Sequence, residues 1–246
     1  MKLSVGEKLG FGAGDMAINI VVTTMLLIIA FFYTDIYGLD PADMAVLFVV
    51  VRLIDAFSDP IMGIISDKCE TKHGFYRPFM LWFAIPFGVA VYLTFMTPDL
   101  DYTYKLAWAY FSYILLTIIF TVVAIPYISL ISVISNDPVE RLSANGYRFV
   151  LVKVAAFLVT IVVPSLALYL GDGNMRDGYQ PAMGLMAILG SILLLISFFT
   201  TKERIKPVIE KTKFKEQVKL LFKNDQWRIL CIVLIFLMCS IAIKGS

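Results

Sequence analysis

Apolar residues in this chain fall into blocks of about 20 or more, separated by short polar breaks. A helix of about 20 apolar residues crosses the ~30 Å hydrocarbon core of a bilayer, and a helix satisfies its own backbone polar groups on the way. Six blocks are complete, at about 10–36, 43–66, 78–97, 104–133, 143–170 and 179–200, and a seventh runs over about 229–244. The breaks carry turn formers: Gly38 and Pro41, His73 and Gly74, Pro98 and Asp99, Asn136 to Pro138, and GDGNMRDG at 171–178. The pattern predicts an all-α polytopic membrane protein. Its parts are a six-helix bundle over 1–200, a middle loop over 201–228 and the start of a further span over 229–246.

The composition agrees. Hydrophobic residues make up 59% of the chain and charged residues 16%, against about 25% charged in soluble domains. A net charge of +2 offers nothing to nucleic acid. Cys69, Cys231 and Cys239 have neither metal-site nor disulfide spacing, and the single histidine, His73, sits in a loop. The N-terminus MKLSVGEKLG is short and polar, and the apolar run after it is too long for a signal-peptide core.

The distribution of positive charge sets an orientation. Sixteen Lys or Arg residues flank the N-terminus and the loops at 66–78, 134–148 and 201–228, whereas the opposite loops carry only Lys105 and Arg176. By the positive-inside rule the N-terminus and the 201–228 loop are expected in the cytoplasm, in a bacterial inner membrane. Within that loop, TKFKEQVKLLFKN (212–224) places Phe214, Val218, Leu221 and Phe222 on one helical side. It reads either as an amphipathic helix at the membrane surface or as a solvated linker. Six spans, a long basic loop and another span form the layout of the first half of a twelve-span transporter, so a second, C-terminal half is an expected partner.

Charge inside the second span is the strongest functional signal. In MAVLFVVVRLIDAFSDPIMGIIS (44–66), Arg52, Asp55 and Asp59 fall on one helical stripe. A charge near the bilayer centre costs from ~3 to more than ~10 kcal/mol, so this stripe faces protein or water. Asp55 and Asp59 are one turn apart, ~6 Å between Cβ atoms. Two carboxylates that close need a cation or proton between them, which suits Na⁺, Li⁺ or H⁺ as a bound monovalent ion. Ser58 and Thr121 add hydroxyl oxygens if the fourth span packs against the second. The alternative is an Arg52–Asp55 pair that only staples helices.

Asp15 and Asn19, one turn apart in the first span, offer a carboxylate and an amide that suit a polyhydroxylated ligand such as a sugar. Alternatively Asp15 caps its helix or pairs with Arg148 or Lys153. Lys153 itself is placed to snorkel to the cytoplasmic interface. Pro126 within the fourth span is expected to kink it beside a cavity. Tyr127 then serves either as packing or as a stacking surface for a sugar ring. No metal cluster, Walker A loop or nucleophile elbow occurs. GFGAGD (10–15) lacks the strand and βαβ context of a nucleotide site.

RLIDAFSDPIMGIISDKCETKHGFYRPFM (52–80) resembles the helix 2 to helix 3 signature of the glycoside–pentoside–hexuronide:cation symporters, the melibiose permease family of the major facilitator superfamily. IPYISLISVISNDPVERLSANGYRF (125–149) resembles the same family's helix 4 to helix 5 segment, and GFGAGD, FFYTDIYG and TKERI fit the ends of spans 1 and 6. The resemblance implies a major-facilitator-type N-terminal bundle and cation-coupled sugar symport by alternating access. It implies cation ligation by Asp55 and Asp59 with Thr121 nearby, and a sugar site containing Asp15 and Arg148. It implies no cofactor beyond the coupling ion. The chain departs from the pattern at Ala124, where melibiose permease has a sugar-binding Asp, and at Ile128, which replaces an aromatic. A non-transporting membrane sensor or assembly partner is the reading from a different class, and a membrane-embedded enzyme lacks a catalytic constellation.

The charge asymmetry generates a direct test. Single cysteines placed in 201–228 are expected to react with a membrane-impermeant thiol reagent in inverted vesicles but not in intact cells; reaction in intact cells reverses the topology.

Overall fold

The computed structural model describes residues 2–206, 223–233 and 236. Residues 1–207 form one unit and residues 208–246 another. The first unit is built from α1 (Val5–Leu27), α2 (Ile29–Phe31), a π turn (Phe32–Ile36), α3 (Pro41–Lys68), α4 (Arg77–Thr94), α5 (Tyr102–Ile134), α6 (Pro138–Phe157), a second π turn (Leu158–Val162), α7 (Val163–Leu170) and α8 (Met175–Thr200). Five of the helices, with α6 and α7 joined as one rod from Pro138 to Leu170, are long and apolar enough to cross a membrane. α3 has the length, 28 residues, but carries Arg52, Asp55 and Asp59 along its middle. The chain is thus a multi-pass helical membrane protein, with six rods among the described residues of the first unit.

Most helices start earlier than the apolar blocks suggest, and capping residues explain the difference. Ser4 and Glu7 form a reciprocal capping box at the head of α1. Asp40, Asp137 and Asn174 accept from Ala42, Val139 and Arg176 backbone N–H groups at the heads of α3, α6 and α8. Polar residues that a hydropathy pattern assigns to loops are therefore first turns. α5 stays helical through Pro126, from Tyr102 to Ile134.

α1 packs against α6 and α8, α4 against α5 and α8, and α3 against α5. Three glycines make the centre close. A Cβ at Gly10 would fall 1.6 Å from Thr200 Oγ1, one at Gly12 would fall 3.2 Å from Arg148 Cα, and one at Gly14 would fall 2.7 Å from both Ser197 Oγ and Tyr127 Cε2. GFGAGD is thus a helix-packing face that lets α1 approach α5, α6 and α8 at backbone distance. By contrast, only Leu47, Val51, Met62 and Ser66 of α3, and Ala144 and Ala155 of α6, are buried.

A polar clasp holds the end of the bundle that carries the N-terminus. α4 has no cap from its own N-cap residue, Tyr76. Instead the Glu203 carboxylate accepts from the backbone N–H groups of Phe75, Tyr76 and Arg77, each at 2.8 Å. Gly74, at φ +110°, lies so close that a Cβ would collide with that carboxylate. Arg77 donates to the Phe198 carbonyl at 2.6 Å and lies 4.9 Å over the Phe198 ring. Arg204 pairs with Glu7 at 2.5 Å, Lys8 with Glu140 at 2.8 Å, and the Arg204 and Ile205 N–H groups reach the Val133 carbonyl. Burial and a hydrogen bond to Asp67 raise the Tyr76 phenol above its ordinary range. Residues 201–206, expected to open the middle loop, thus belong to the bundle.

In the second unit, residues 225–233 are helical, and Asn224 accepts from the Gln226 and Trp227 N–H groups at 3.0 and 3.3 Å. Asp225 pairs with Arg228. Residues 212–222 of the 212–224 segment expected to be amphipathic, most of the seventh apolar block and Cys239 lie outside the described residues.

Glu203 satisfies three helix-start donors from 126 or more residues away. Glu203→Ala is expected to cost roughly 1–3 kcal/mol, the penalty of leaving such donors unmade, and to lower the melting temperature in detergent. Glu203→Gln, which keeps an acceptor oxygen, is expected to fall between. Melting temperatures equal to wild type for both variants would show that the clasp is ornamental.

Candidate functional site

The acidic stripe of α3 divides between two neighbours. Thr121 Oγ1 on α5 donates to Asp59 Oδ1 at 2.9 Å, so α5 does pack against α3 where the hydroxyl is needed. Asp59 has no cationic partner within 4.0 Å among the described residues. Asp55 lies 3.5 Å from Arg52 Nη1. That contact spans one turn of a single helix, and the Arg52 side chain is 73% exposed. It therefore staples no helices together. Ser58 Oγ turns back to the Asp55 carbonyl at 3.4 Å.

Asp55 and Arg52 also line a cavity of about 180 Å³ between α1, α3 and α5. Its other walls are Val22, Met25 and Leu26 of α1, Val51 of α3, and Tyr113, Thr117 and Phe120 of α5. A second, open groove of about 530 Å³ runs between α3 and α5 and is apolar except for Ser58 and Thr121. No three His, Cys, Asp or Glu side chains converge on a metal position among the described residues.

The second constellation joins α1 and α6. Arg148 Nε sits 2.8 Å from Asp15 Oδ2, as an ion pair rather than an aligned hydrogen bond. Asp15 is 6% exposed. It stands about three turns into α1, which excludes a capping role, and its partner is Arg148 rather than the exposed Lys153. Gly12 makes the pair reachable, because any side chain there would push the Arg148 backbone away. Arg148 also contacts Asn145 Oδ1 at 3.4 Å and lies 5.5 Å over the Phe149 ring. The Asn19 amide donates to the Asp15 carbonyl at 2.9 Å. Asp15, Asn19, Val22 and Leu26 share one face of α1. That face runs from the Arg148 pair to the Asp55 cavity within roughly 10 to 17 Å along the axis.

Of the two roles open to Tyr127 from the sequence, its geometry here fits packing. Its ring is fully buried and stacks on Phe11 at 5.0 Å and 16°, and its hydroxyl donates to the Phe11 carbonyl at 2.7 Å. Gly14 packs against the ring edge. With the ring fully buried and the hydroxyl bonded, Tyr127 offers no stacking surface to a substrate here. Sequence reasoning passed over Thr117, one turn before Thr121, because a lone threonine in an apolar block carries no distinctive signal.

Residues 10–246 match the profile of a family described as MFS/sugar transport protein. The chain belongs to that family. It is 38% identical over 244 residues to the inner membrane symporter YicJ of Escherichia coli (strain K12), covering 99% of this chain and 53% of that protein. It is 39% identical over 246 residues to the putative glycoside/cation symporter YagG of the same organism, covering 100% of this chain and 54% of that protein. The isoprimeverose transporter of Lactiplantibacillus pentosus is 32% identical over 231 residues, covering 92% and 48%. The chain spans about half the length of these curated relatives. Membership of the MFS/sugar transport family agrees with the resemblance read from spans 2 to 5, and it is a family of transporters rather than enzymes.

Tyr127→Phe tests the packing role. It is expected to lower stability by about 1 kcal/mol through the lost hydrogen bond, with sugar affinity of the full-length protein unchanged. A selective loss of sugar affinity at unchanged melting temperature would return Tyr127 to the binding site.

Proposed function

We propose that this chain is the first bundle of a cation-coupled sugar symporter, with the N-terminus in the cytoplasm and a second bundle completing the transport path. Asp55 and Asp59, with Ser58 and Thr121, hold Na⁺, Li⁺ or H⁺, and Asp15, Asn19 and Arg148 contact the sugar. The observation that carries this reading is the Asp59–Thr121 hydrogen bond between α3 and α5. An intramembrane carboxylate without a cationic partner, already facing a neutral oxygen, is the environment a desolvated monovalent cation requires. The glycoside/cation symporter among the relatives supports the substrate and ion classes.

In this mechanism the cation neutralises Asp55 and Asp59, and the bundles can then close over a less charged midplane site. Asp15 accepts sugar hydroxyls while the Arg148 guanidinium, 2.8 Å away, holds its carboxylate in place. The shared face of α1 joins the two sites mechanically. Binding at one is thereby coupled to the other, with a reciprocal free energy typically of ~1–3 kcal/mol.

The two assignments are separable in the full-length protein. Asp59→Cys is expected to abolish cation-driven accumulation while downhill sugar exchange survives, because one carboxylate is a poor trap for a desolvated ion. Asp15→Asn is expected to weaken sugar binding ~5–150-fold through unmade hydrogen bonds and to leave cation binding largely intact. Uptake screened over glycosides, pentosides and uronides, with sodium, lithium and pH varied, checks both. Unchanged accumulation in Asp59→Cys with unchanged ion dependence would remove the cation assignment, and preserved sugar affinity in Asp15→Asn would remove the sugar assignment.

A further inference from the structure

Thr117 stands out among the hydroxyls of this bundle. It is 1% exposed, and its Oγ1 has no hydrogen-bond partner. A threonine in an apolar helix ordinarily returns its hydroxyl to the carbonyl one turn back, as Thr24, Thr94, Thr200 and Thr201 all do in this chain, at 2.6–2.8 Å. Thr117 does not use that acceptor. Its side chain instead lines the cavity of about 180 Å³ that also contains Asp55. A buried hydroxyl left unpaired costs free energy that a ligand recovers.

Helix register gives the same pairing independently. Successive rods reverse direction, so α3 and α5, separated by α4, run parallel. Asp59 is bonded to Thr121 across this interface. One turn back on both helices brings Asp55 opposite Thr117. Arg52 and Tyr113, the other polar residues of the cavity, lie toward the next turn along. The interface is therefore a two-rung ladder of carboxylate against hydroxyl, with the Asp59 rung closed and the Asp55 rung open.

We infer that Thr117 Oγ1 is a ligand for an alkali-metal cation, Na⁺ or Li⁺, held by Asp55, and that it sets the affinity for that ion. This rests on the reading of Asp55 and Asp59 as the cation site. A hydroxyl oxygen donates lone pairs to a hard cation, and Asp55 beside it supplies the negative charge.

The test uses the purified full-length protein and thermal unfolding, titrated with NaCl or LiCl against choline chloride at constant ionic strength. A ligand that binds the folded state raises the melting temperature with its own concentration dependence. In wild type, NaCl or LiCl is expected to raise it saturably. Thr117→Val, which keeps shape and removes the oxygen, is expected to move the midpoint about tenfold higher, and Thr117→Ser to stay within about threefold. If the valine variant shows no cooperative melt, Thr117→Ala against Thr117→Ser carries the same comparison. A midpoint within twofold of wild type in the variants lacking the hydroxyl overturns the role of Thr117. So does a wild-type protein stabilised by neither salt. Asp59→Cys separates the levels. If it loses the salt response while Thr117→Val keeps it, only Thr117 is dismissed. If Asp59→Cys responds as wild type, the carboxylate site itself fails.

Discussion

The cost of charge in hydrocarbon governs how this bundle is built. Several kcal/mol per unpaired charge is comparable to the whole stability of a domain, so each intramembrane charge must meet a partner or an aqueous face. Asp15 meets Arg148 from another helix. Asp55 lies beside Arg52 on its own helix, where the exposed guanidinium leaves the contact open to water or to a second bundle. Among the described residues, Asp59 meets only the neutral hydroxyl of Thr121. Glycines 10, 12 and 14 serve the same requirement, because they bring the α1 backbone close enough to α6 for a buried carboxylate to reach its guanidinium.

The two polar constellations differ in how completely they are satisfied, and this matches their proposed roles. The α1–α6 pair is a buried, compensated charge that presents a fixed carboxylate edge. The α3–α5 ladder is under-compensated, with two acids, one solvent-exposed guanidinium and two hydroxyls. An under-compensated pair gains most from an added monovalent cation, and a compensated pair gains most from hydrogen-bond donors. One continuous face of α1 touches both, and the Glu203 clasp fixes the ends of α4, α5 and α8 around them. Motion of the bundle as one body would carry both sites together.

Much of the architecture was legible from the pattern of residues. Block length against bilayer thickness predicted six rods, and the i, i+3, i+7 stripe picked out Arg52, Asp55 and Asp59 before any fold was known. Thr121 as a hydroxyl near Asp59 is conditional, in the sequence, on the fourth span packing against the second; the resemblance implies the same neighbourhood, and the packing of α5 on α3 supplies its geometry. The helix starts were misplaced by several residues, because hydropathy sees where hydrocarbon begins and a cap is set by a single hydrogen bond at Ser4, Asp40, Asp137 or Asn174.

The chain's own order of residues determined what depends on one helix at a time: span lengths, the acidic stripe, the positive-charge asymmetry. Local periodicity carries that information because neighbours on a helix face are three or four residues apart. What depends on two helices was decided only by tertiary structure. Asp15 chose Arg148 over Lys153 or a cap, Tyr127 turned inward onto Phe11, Glu203 came to cap a helix start 126 residues away, and Thr117 came to line the cavity that holds Asp55. Each of these rests on which faces meet and at what rotation, set by the summed packing of glycines and large side chains between rods, and no single helix's sequence contains that angle.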